Sequence, residues 1–304
     1  MKALPTDFAV TCPLCGEITT KILFDQEESR LDSSTIGSSR RHTSPGRILR
    51  CGSCGFGFRQ TRPSPEQLKE LYRQMDPRVY DSELHGRNRT AKTHLRIVQR
   101  YLRPGRVLDV GCASGLFLFH AMQVGWSVTG IEPNEALCED ARRILGGKGS
   151  VYCDALETVS LEGKFDAITA WDVLEHVPHP RAFLSACRSL LRPGGFLFLN
   201  VPDLDSWEGK LLGRRWPLLL PEHLNYFNKH SLSLCAKQAD LVSVQFGRRL
   251  AWFSLNYITY RITQHGIYGS HWLRALAQGQ LGRFVLPVSL GEVFIVLSPI
   301  VRDV

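Results

Sequence analysis

Four of the nine cysteines occur in two closely spaced pairs. Cys12 and Cys15 form the first pair, Cys51 and Cys54 form the second, and a glycine follows each pair. Two residues between thiols place both sulfurs on one side of a tight turn, and four thiolates suit tetrahedral Zn²⁺. This spacing predicts a structural zinc site, with redox thiols or an iron–sulfur cluster as the alternatives. Four sulfurs would fill the coordination shell, so we assign the site no chemistry of its own.

A second segment with chemical potential is the glycine-rich stretch VLDVGCASG at residues 107–115. An apolar strand there leads directly into a turn of small residues, which lets the backbone approach a ligand closely. Glu132 lies 21 positions after Gly111, where a carboxylate is placed to accept hydrogen bonds from ribose hydroxyls. The segment lacks the G-x-G-x-x-G pattern of dinucleotide enzymes. It therefore indicates either another nucleotide-type site or simply a tight strand-to-helix turn.

Alternating apolar strands and helices must position these residues. The predicted strands are Val107–Val110, Ser127–Ile131, Val151–Cys153, Phe165–Ala170, Phe196–Val201, Leu241–Phe246 and Glu292–Leu297. The predicted helices include Asn134–Leu145, Pro180–Leu191 and His230–Asp240. This alternation is typical of βαβ units and a parallel sheet.

The chain divides into three predicted parts. Residues 1–61 contain both cysteine pairs and form a small module, and residues 62–103 carry apolar residues at helical spacing. Residues 104–304 contain the strand–helix alternation and an aromatic-rich C-terminal insertion.

The ordered set of motifs resembles the class I S-adenosylmethionine-dependent methyltransferases over about residues 65–300. The turn at 107–115 resembles their first motif, GIEPN at 130–134 the second, and WDVLEHV at 171–177 a later one. The resemblance implies an α/β fold with a doubly wound, mostly parallel, seven-stranded Rossmann-like sheet and S-adenosyl-L-methionine as cofactor. The cofactor-binding residues that it implies are Asp109, Gly111, Cys112, Ala113, Gly115, Glu132, Pro133, Asp154, Ala155, Trp171 and Asp172. Ala113 replaces a glycine that many members carry, and Asp172 has the alternative role of a helix N-cap.

The segment from Cys51 to Tyr80 resembles the linker of bacterial zinc-ribbon methyltransferases of sugar, glycan and natural-product pathways. In those proteins the ribbon and the helices after it cover the acceptor side of the site. The same region of this chain is therefore expected to cover its acceptor.

Four residues are candidates for aligning the acceptor and removing its proton: His223, Glu222, His176 and Tyr80. The sequence PEHLNYF at 221–227 is similar to the Glu-His-x-x-Tyr-Phe segment of deoxysugar C-methyltransferases. That match implies His223 as the base and Glu222 as its neighbour, with packing of the rim as the alternative role of His223.

A second resemblance concerns Asp172, Glu175 and His176. It is to a cluster in ubiquinone-pathway O-methyltransferases, where such groups hold a divalent ion. The alternative is that His176 lines the cofactor pocket.

The formal net charge of +8 is distributed unevenly along the chain. Residues 107–204 carry an excess of acidic side chains, whereas both flanks are basic. Basic flanks suit an anionic acceptor, a nucleic acid or an acidic membrane surface, or they are a solvated surface. The Trp- and Leu-rich stretch 207–220 is interpreted as a substrate lid or a peripheral membrane contact.

The remaining composition favours the cytoplasm. The opening residues contain Pro5 and Asp7, which interrupt a signal-peptide core, and no apolar run is long enough to span a membrane. The odd number of cysteines argues against a disulfide framework, and the five unpaired ones are expected to act as small buried hydrophobes.

The best hypothesis is a methyltransferase acting on a nucleotide-linked or phosphorylated sugar or a related intermediate. The alternatives are a nucleic-acid or protein methyltransferase that docks through its basic N-terminal module, and a non-catalytic binding protein. No Asn-Pro-Pro-Tyr motif for exocyclic amines occurs, so nucleic acid is disfavoured. The intact segment 107–115 and Glu132 argue against a non-catalytic role.

Overall fold

The computed structural model describes residues 8–28, 44–76, 83–264 and 281–300. The N-terminal part is an antiparallel sheet of short strands in the order β1-β2-β3-β4. These strands are β1 (Phe8–Ala9), β2 (Thr19–Phe24), β3 (Ile48–Cys51) and β4 (Gly57–Arg59). Each cysteine pair occupies a turn that ends in a glycine with positive φ, Gly16 at +81° and Gly55 at +72°. Left-handed backbone of this kind explains the glycine after each pair.

Two helices follow, as predicted for residues 62–103: α1 (Pro65–Arg73) and α2 (Leu84–Val98). Ser64 caps α1 through a reciprocal pair of hydrogen bonds with Gln67, and Pro65 occupies the first turn. Such a capping box satisfies two otherwise unpaired N–H groups at the helix start. Tyr80, one of the predicted catalytic residues, lies outside the described residues.

The central strand–helix alternation is confirmed, with most boundaries within one or two residues of the prediction. The elements are β5 (Arg106–Val110), α3 (Leu116–Gln123), β6 (Ser127–Ile131), α4 (Glu135–Leu145), β7 (Ser150–Tyr152), β8 (Phe165–Trp171), α5 (Pro180–Leu190) and β9 (Leu191–Pro202). Strand β9 begins earlier than predicted. Its register along β8 jumps from the Phe165–Leu191 pair to the Ala167–Phe196 pair, so residues 192–195 bulge out. Gly194 adopts φ +76° in this bulge, which is consistent with the turn chemistry of the Pro-Gly-Gly sequence.

The C-terminal region adds short elements around the sheet. They are α6 (Trp207–Leu212), β10 (Asn225–Tyr226), α7 (Lys229–Gln238), β11 (Leu241–Arg248), β12 (Ala251–Ser254), α8 (Leu255–Gln264), β13 (Val285–Val288) and β14 (Glu292–Pro299). Trp207, Leu211 and Leu212 on α6 are exposed, whereas Trp216, farther along the same stretch, is buried.

The main sheet has seven strands in the order β11-β14-β9-β8-β5-β6-β7. The neighbours from β9 to β7 are parallel, and β14 runs antiparallel to both β9 and β11. This is the doubly wound, mostly parallel sheet that the sequence predicted. The chain reverses its direction of winding between β5 and β8, and in open α/β sheets ligands bind at the carboxyl ends of the strands near such a point.

The N-terminal sheet is completed by a strand from the distant part of the chain. Strand β10 pairs with β4 through Asn225–Phe58 and Tyr226–Gly57. The ribbon, which consists of β1 to β4, is therefore joined to the segment that follows the predicted base, His223. The predicted domain boundary at residue 61 stays a prediction.

Two further observations concern the expected compartment and the cysteines. Within the described ranges, no helix is both long and apolar enough to cross a bilayer. Cys138 on α4 and Cys153 after β7 form a disulfide, so the expectation that both would be unpaired hydrophobes was wrong. The two residues face each other because α4 packs against β7.

Candidate functional site

The glycine-rich turn lies at the carboxyl end of β5. Gly111, Ala113 and Gly115 all have positive φ, and the N–H groups of Gly111 and Cys112 donate to the carbonyl of Ile131 at 2.8 and 3.0 Å. A Cβ on Gly111 would lie 2.7 Å from Cγ2 of Val173. The turn is thus a tightly held loop whose conformation and neighbours require small residues.

Glu132 fixes this turn from the end of β6. Its carboxylate is buried and accepts hydrogen bonds from the backbone N–H groups of Ala113 and Asn134, both at 2.9 Å. Burial raises its pKa to about 7, although the two N–H donors favour the charged form. Since a carboxylate offers about four acceptor positions, two remain for ribose hydroxyls. The residues present therefore fit the amino-acid and ribose parts of S-adenosylmethionine.

The other predicted cofactor residues surround the same edge of the sheet. Asp109 is buried, accepts a hydrogen bond from the Thr169 hydroxyl at 2.6 Å, and has its pKa raised by burial to about 7. Asp154 pairs with Lys69 of α1 at 2.8 Å, and this contact lowers its pKa to about 2. Helix α1 therefore reaches a predicted cofactor-binding residue. Cys112, Pro133 and Ala155 lie in the turns that carry these groups.

Asp172 is not a helix N-cap, so that alternative is wrong. It adopts φ +57° directly after β8, and both of its carboxylate oxygens accept from Arg249, at 3.0 and 2.8 Å. Asn200 also donates to it at 2.6 Å, and Arg249 donates to Glu292 at 2.5 Å. Three groups from β9, the β11–β12 connection and β14 thus hold Asp172 in a strained conformation.

Arg249, Asn200 and Glu292 were not predicted from the sequence. Asn200 and Glu292 belong to the apolar strands β9 and β14, where only the polar interruption could have drawn attention to them, and Arg249 directly follows β11.

Trp171 lies beside Asp172 and packs on a histidine that the sequence analysis also missed. His94 of α2 stacks on it with ring centroids 3.9 Å apart. Burial and the nearby Arg249 charge lower the pKa of His94 well below its usual value, so the stacked imidazole is neutral. Its position on the buried face of α2 is the only sequence signal for this role.

The structure brings His176 and His223 together. Their rings are 4.7 Å apart, and the potential ligand atoms of Glu175, His176 and His223 lie within 4.8 Å of one another. The backbone N–H groups of Leu224 and Asn225 donate to the Glu175 carbonyl at 2.8 and 3.0 Å. These bonds join the segment after β8 to the segment that carries His223.

The two imidazoles have the same hydrogen-bonding arrangement. Nδ1 of His223 faces the Leu218 carbonyl at 2.8 Å, and Nδ1 of His176 faces the Glu222 carbonyl at 3.1 Å. A carbonyl only accepts, so Nδ1 carries the hydrogen and each Nε2 keeps a lone pair. Burial lowers the pKa of His176 to about 4 and that of His223 well below its usual value. Both rings are therefore neutral and able to accept a proton.

Glu175 is buried between these groups, and its Oε2 has no hydrogen-bond partner among the described residues. Burial, and then the charge of Asp172, raise its pKa well above the usual value. Asp172 is engaged by Arg249, and the group whose possible ligand atoms lie together is Glu175, His176 and His223. A divalent ion at Asp172, Glu175 and His176 stays a prediction. Glu222 is also buried.

The four ribbon cysteines meet in one cluster, as predicted. The Sγ atoms of Cys12 and Cys54 are 3.8 Å apart, and those of Cys15 and Cys51 are 3.5 Å apart. A tetrahedron with zinc–sulfur bonds of about 2.3 Å has edges of about 3.8 Å. The cluster therefore has the dimensions of a Cys₄ zinc site.

Comparisons with known proteins agree with this fold. Residues 80–245, more than half of the chain, match the methyltransferase-domain family. The ubiquinone biosynthesis O-methyltransferase of Xanthomonas campestris pv. campestris is 42% identical over 112 residues, which cover 34% of this chain and 46% of that protein. The enzyme of the same name from Bordetella avium is 30% identical over 179 residues, 55% of this chain and 74% of that protein.

The matched part spans about half the length of the Xanthomonas relatives. A solved complex of the Haloferax volcanii Trm112 methyltransferase activator with a protein described as a methyltransferase aligns at TM-score 0.51 and 14% identity. It covers 70% of this chain and 91% of that chain, and the likeness concerns the fold. With its seven-stranded sheet and its glycine-rich turn, the chain belongs to the methyltransferase-domain family, within the class I S-adenosylmethionine-dependent methyltransferases.

Proposed function

We propose that this chain transfers a methyl group from S-adenosylmethionine to a small-molecule acceptor that carries an anionic group. Glu132 and the turn at 111–115 would hold the cofactor, which supplies an electrophilic methyl group when bound. The acceptor would lie on the opposite half of the carboxyl edge, beside His176 and His223.

The observation that carries this proposal is the state of His223. Its Nδ1–H is held by the Leu218 carbonyl, which leaves the Nε2 lone pair as the atom that would accept a proton. As the acceptor's hydroxyl oxygen becomes the nucleophile, its proton passes to Nε2 of His223. Methyl transfer would leave the methylated acceptor, S-adenosylhomocysteine and an imidazolium ion, which must lose its proton before the next turnover.

Two findings support the type of acceptor. The curated relatives carry the name O-methyltransferase, which favours oxygen as the methylated atom. The basic flanks of the chain favour an anionic acceptor, such as a nucleotide-linked or phosphorylated sugar. Zinc in the Cys₄ cluster would stabilise the ribbon, which β10 fastens to the segment carrying His223.

Incubation with methyl-labelled S-adenosylmethionine and a panel of acceptors tests this proposal. The panel should contain nucleotide-linked sugars, sugar phosphates, the parent neutral sugars and a catechol. We expect label transfer to a phosphorylated sugar and little to its neutral parent. Exclusive labelling of the catechol would contradict the sugar acceptor, and binding of S-adenosylhomocysteine without any transfer would contradict the activity.

A further inference from the structure

A cavity of about 640 Å³ opens between α1 and the chain that follows β4. Its wall includes Arg59, Arg62 and Leu71. Tyr72, the next residue after Leu71, packs edge-on against His176 with ring centroids 5.8 Å apart. The cavity therefore lies beside the proposed acceptor side of the site.

Arg59 is a buried cation with an unused donor. Its side chain is 2% exposed. One terminal nitrogen donates to the Pro221 carbonyl, and the other donates to Glu28 at 2.6 Å. The Nε–H group is buried and has no hydrogen-bond partner among the described residues. A buried donor without an acceptor is unfavourable, and an acceptor supplied by a ligand would remove this cost.

Arg62 lies beside Arg59 and has only neutral partners. It donates to the carbonyls of Leu224 and Pro178, at 3.2 and 3.0 Å, and to the side chain of Asn225 at 3.0 Å. No carboxylate pairs with it in the described part of the chain. Burial, and then the charge of Arg59, lower the pKa of Arg62 to about 10. A second like charge is thus half-buried in the same wall.

Three carboxylates also line the cavity, and one of them pairs with one of the two arginines. Glu28 pairs with Arg59, and its side chain is 40% exposed. Glu66 and Glu70 also line the cavity, but both are exposed to solvent, which screens them. Among the described residues, the inner wall therefore has one guanidinium without a carboxylate partner, that of Arg62, and one guanidinium N–H without an acceptor, the Nε–H of Arg59.

We propose that Arg59 and Arg62 bind an oxyanion group of the acceptor, a phosphate or a carboxylate. This inference rests on the proposed function, because it places the anionic part of the same acceptor. Guanidinium groups suit such ligands since their planar donors match two oxygens at once. Both arginines also hold carbonyls of the segment 221–224, which carries His223, so the anion would bind against the support of the base.

Nuclear magnetic resonance of the arginine Nε–H groups tests this directly in the full-length protein. Inorganic phosphate and acetate should be titrated separately, with sodium chloride keeping the ionic strength constant. We expect saturable shifts of the Arg59 signal, which is identified by its absence in Arg59→Lys. A larger affinity for phosphate would indicate a phosphorylated acceptor, and a larger affinity for acetate a carboxylate.

The Arg59→Lys variant should weaken anion binding by about tenfold, because one charge-assisted donor is lost. Arg62→Lys provides a second variant that keeps the charge, should the first not fold. Arg192→Lys is the matched control, because Arg192 pairs with Asp166 away from the cavity. An Arg59 signal that neither anion shifts, or equal weakening in the control, would overturn the inference.

Calorimetry with S-adenosylhomocysteine separates this inference from the proposed function. Normal binding of S-adenosylhomocysteine by a protein that binds neither phosphate nor acetate would refute only the oxyanion site. Failure to bind S-adenosylhomocysteine in the wild type would instead refute the function on which it rests.

Discussion

At the scale of single residues, the site consists of buried polar groups whose pKa values are shifted by burial. Glu132 is a carboxylate held by backbone donors, whereas His176 and His223 are neutral rings with their Nδ1 atoms turned to carbonyls. Burial supplies the dominant effect on each of these pKa values. The roles assigned to them therefore lead to separate tests.

Cofactor affinity should depend on Glu132. Replacing it with alanine removes acceptors for the ribose hydroxyls and leaves the N–H groups of Ala113 and Asn134 unpaired. Charge-assisted bonds are each worth about 1.5–3 kcal/mol, so affinity for S-adenosylhomocysteine should fall at least about tenfold. Calorimetry measures this, with Glu135→Ala as the control because that side chain is 69% exposed. Unchanged affinity in a folded Glu132→Ala protein would refute the assignment.

Turnover should depend on His223. The His223→Ala variant should lose about 10²–10⁴-fold in kcat, as expected for a general base, and keep its affinity for S-adenosylhomocysteine within about twofold. Exposed His230 on α7 provides the control variant, His230→Ala. If His223→Ala keeps near-normal turnover with the true acceptor, His223 is a packing residue and not the base.

The pH dependence of turnover is a separate consequence of the same assignment. Burial lowers the pKa of His223, so the ring remains neutral until the pH falls below the usual histidine value of about 6.5. At saturating S-adenosylmethionine, the wild-type kcat should therefore decline only at lower pH, as the base becomes protonated. A pH–rate profile of the wild type measures this, and a decline that begins above pH 7 would contradict it.

At the scale of elements, short strands and turns join the ribbon to the methyltransferase sheet. Strand β10 belongs to the ribbon sheet by its pairing with β4. It directly follows the segment 221–224, whose carbonyls are held by Arg59 and Arg62. A change in the ribbon is therefore expected to reach the acceptor side before the cofactor side.

Substitution of a ribbon cysteine tests whether loss of the metal affects the ribbon without affecting the cofactor side. A Cys51→Ser variant should lose its single zinc ion and the stability of the ribbon, because metal binding to such a cluster drives its folding. Binding of S-adenosylhomocysteine should persist, since the turn at 111–115 lies on another sheet. Elemental analysis before and after the substitution provides the measurement, with Cys187→Ala as a control cysteine in the core. Iron, or no metal, in wild-type protein purified without chelator would contradict zinc.

At the scale of the whole molecule, Arg249 links the C-terminal region to the centre of the sheet. It connects the segment between β11 and β12 to Asp172 after β8 and to Glu292 at the start of β14. The side chains of Arg249 and Glu292 are 10% and 3% exposed. Removing one partner of a buried ion pair leaves the other charge without compensation.

The Arg249→Ala variant should therefore lose about 3–5 kcal/mol of unfolding free energy. Arg143 on α4 is the matched control because it also pairs with a carboxylate, that of Asp140, and both side chains are exposed, at 77% and 36%. Arg143→Ala should cost less than about 1 kcal/mol. Urea denaturation of both variants gives the comparison, and equal losses would show that the buried network contributes no special stability.

The sequence by itself determined the elements and the local motifs. Apolar strand runs, the glycines of the turn at 111–115, and the cysteine spacing all act over a few residues, so their outcome could be predicted. The alternation with helices indicated a parallel sheet, and the resemblance to class I methyltransferases implied its doubly wound, seven-stranded form.

Only the tertiary structure decided which isolated polar residues meet. The pairing of Arg249 with Asp172, the stacking of His94 on Trp171, and the Cys138–Cys153 disulfide join positions with no common periodic pattern. The protonation of His223 likewise depends on a carbonyl and on burial that a sequence does not display. Such contacts arise from packing between distant elements, where a single charge or ring has no local signature, and here they form the chemical environment of the site.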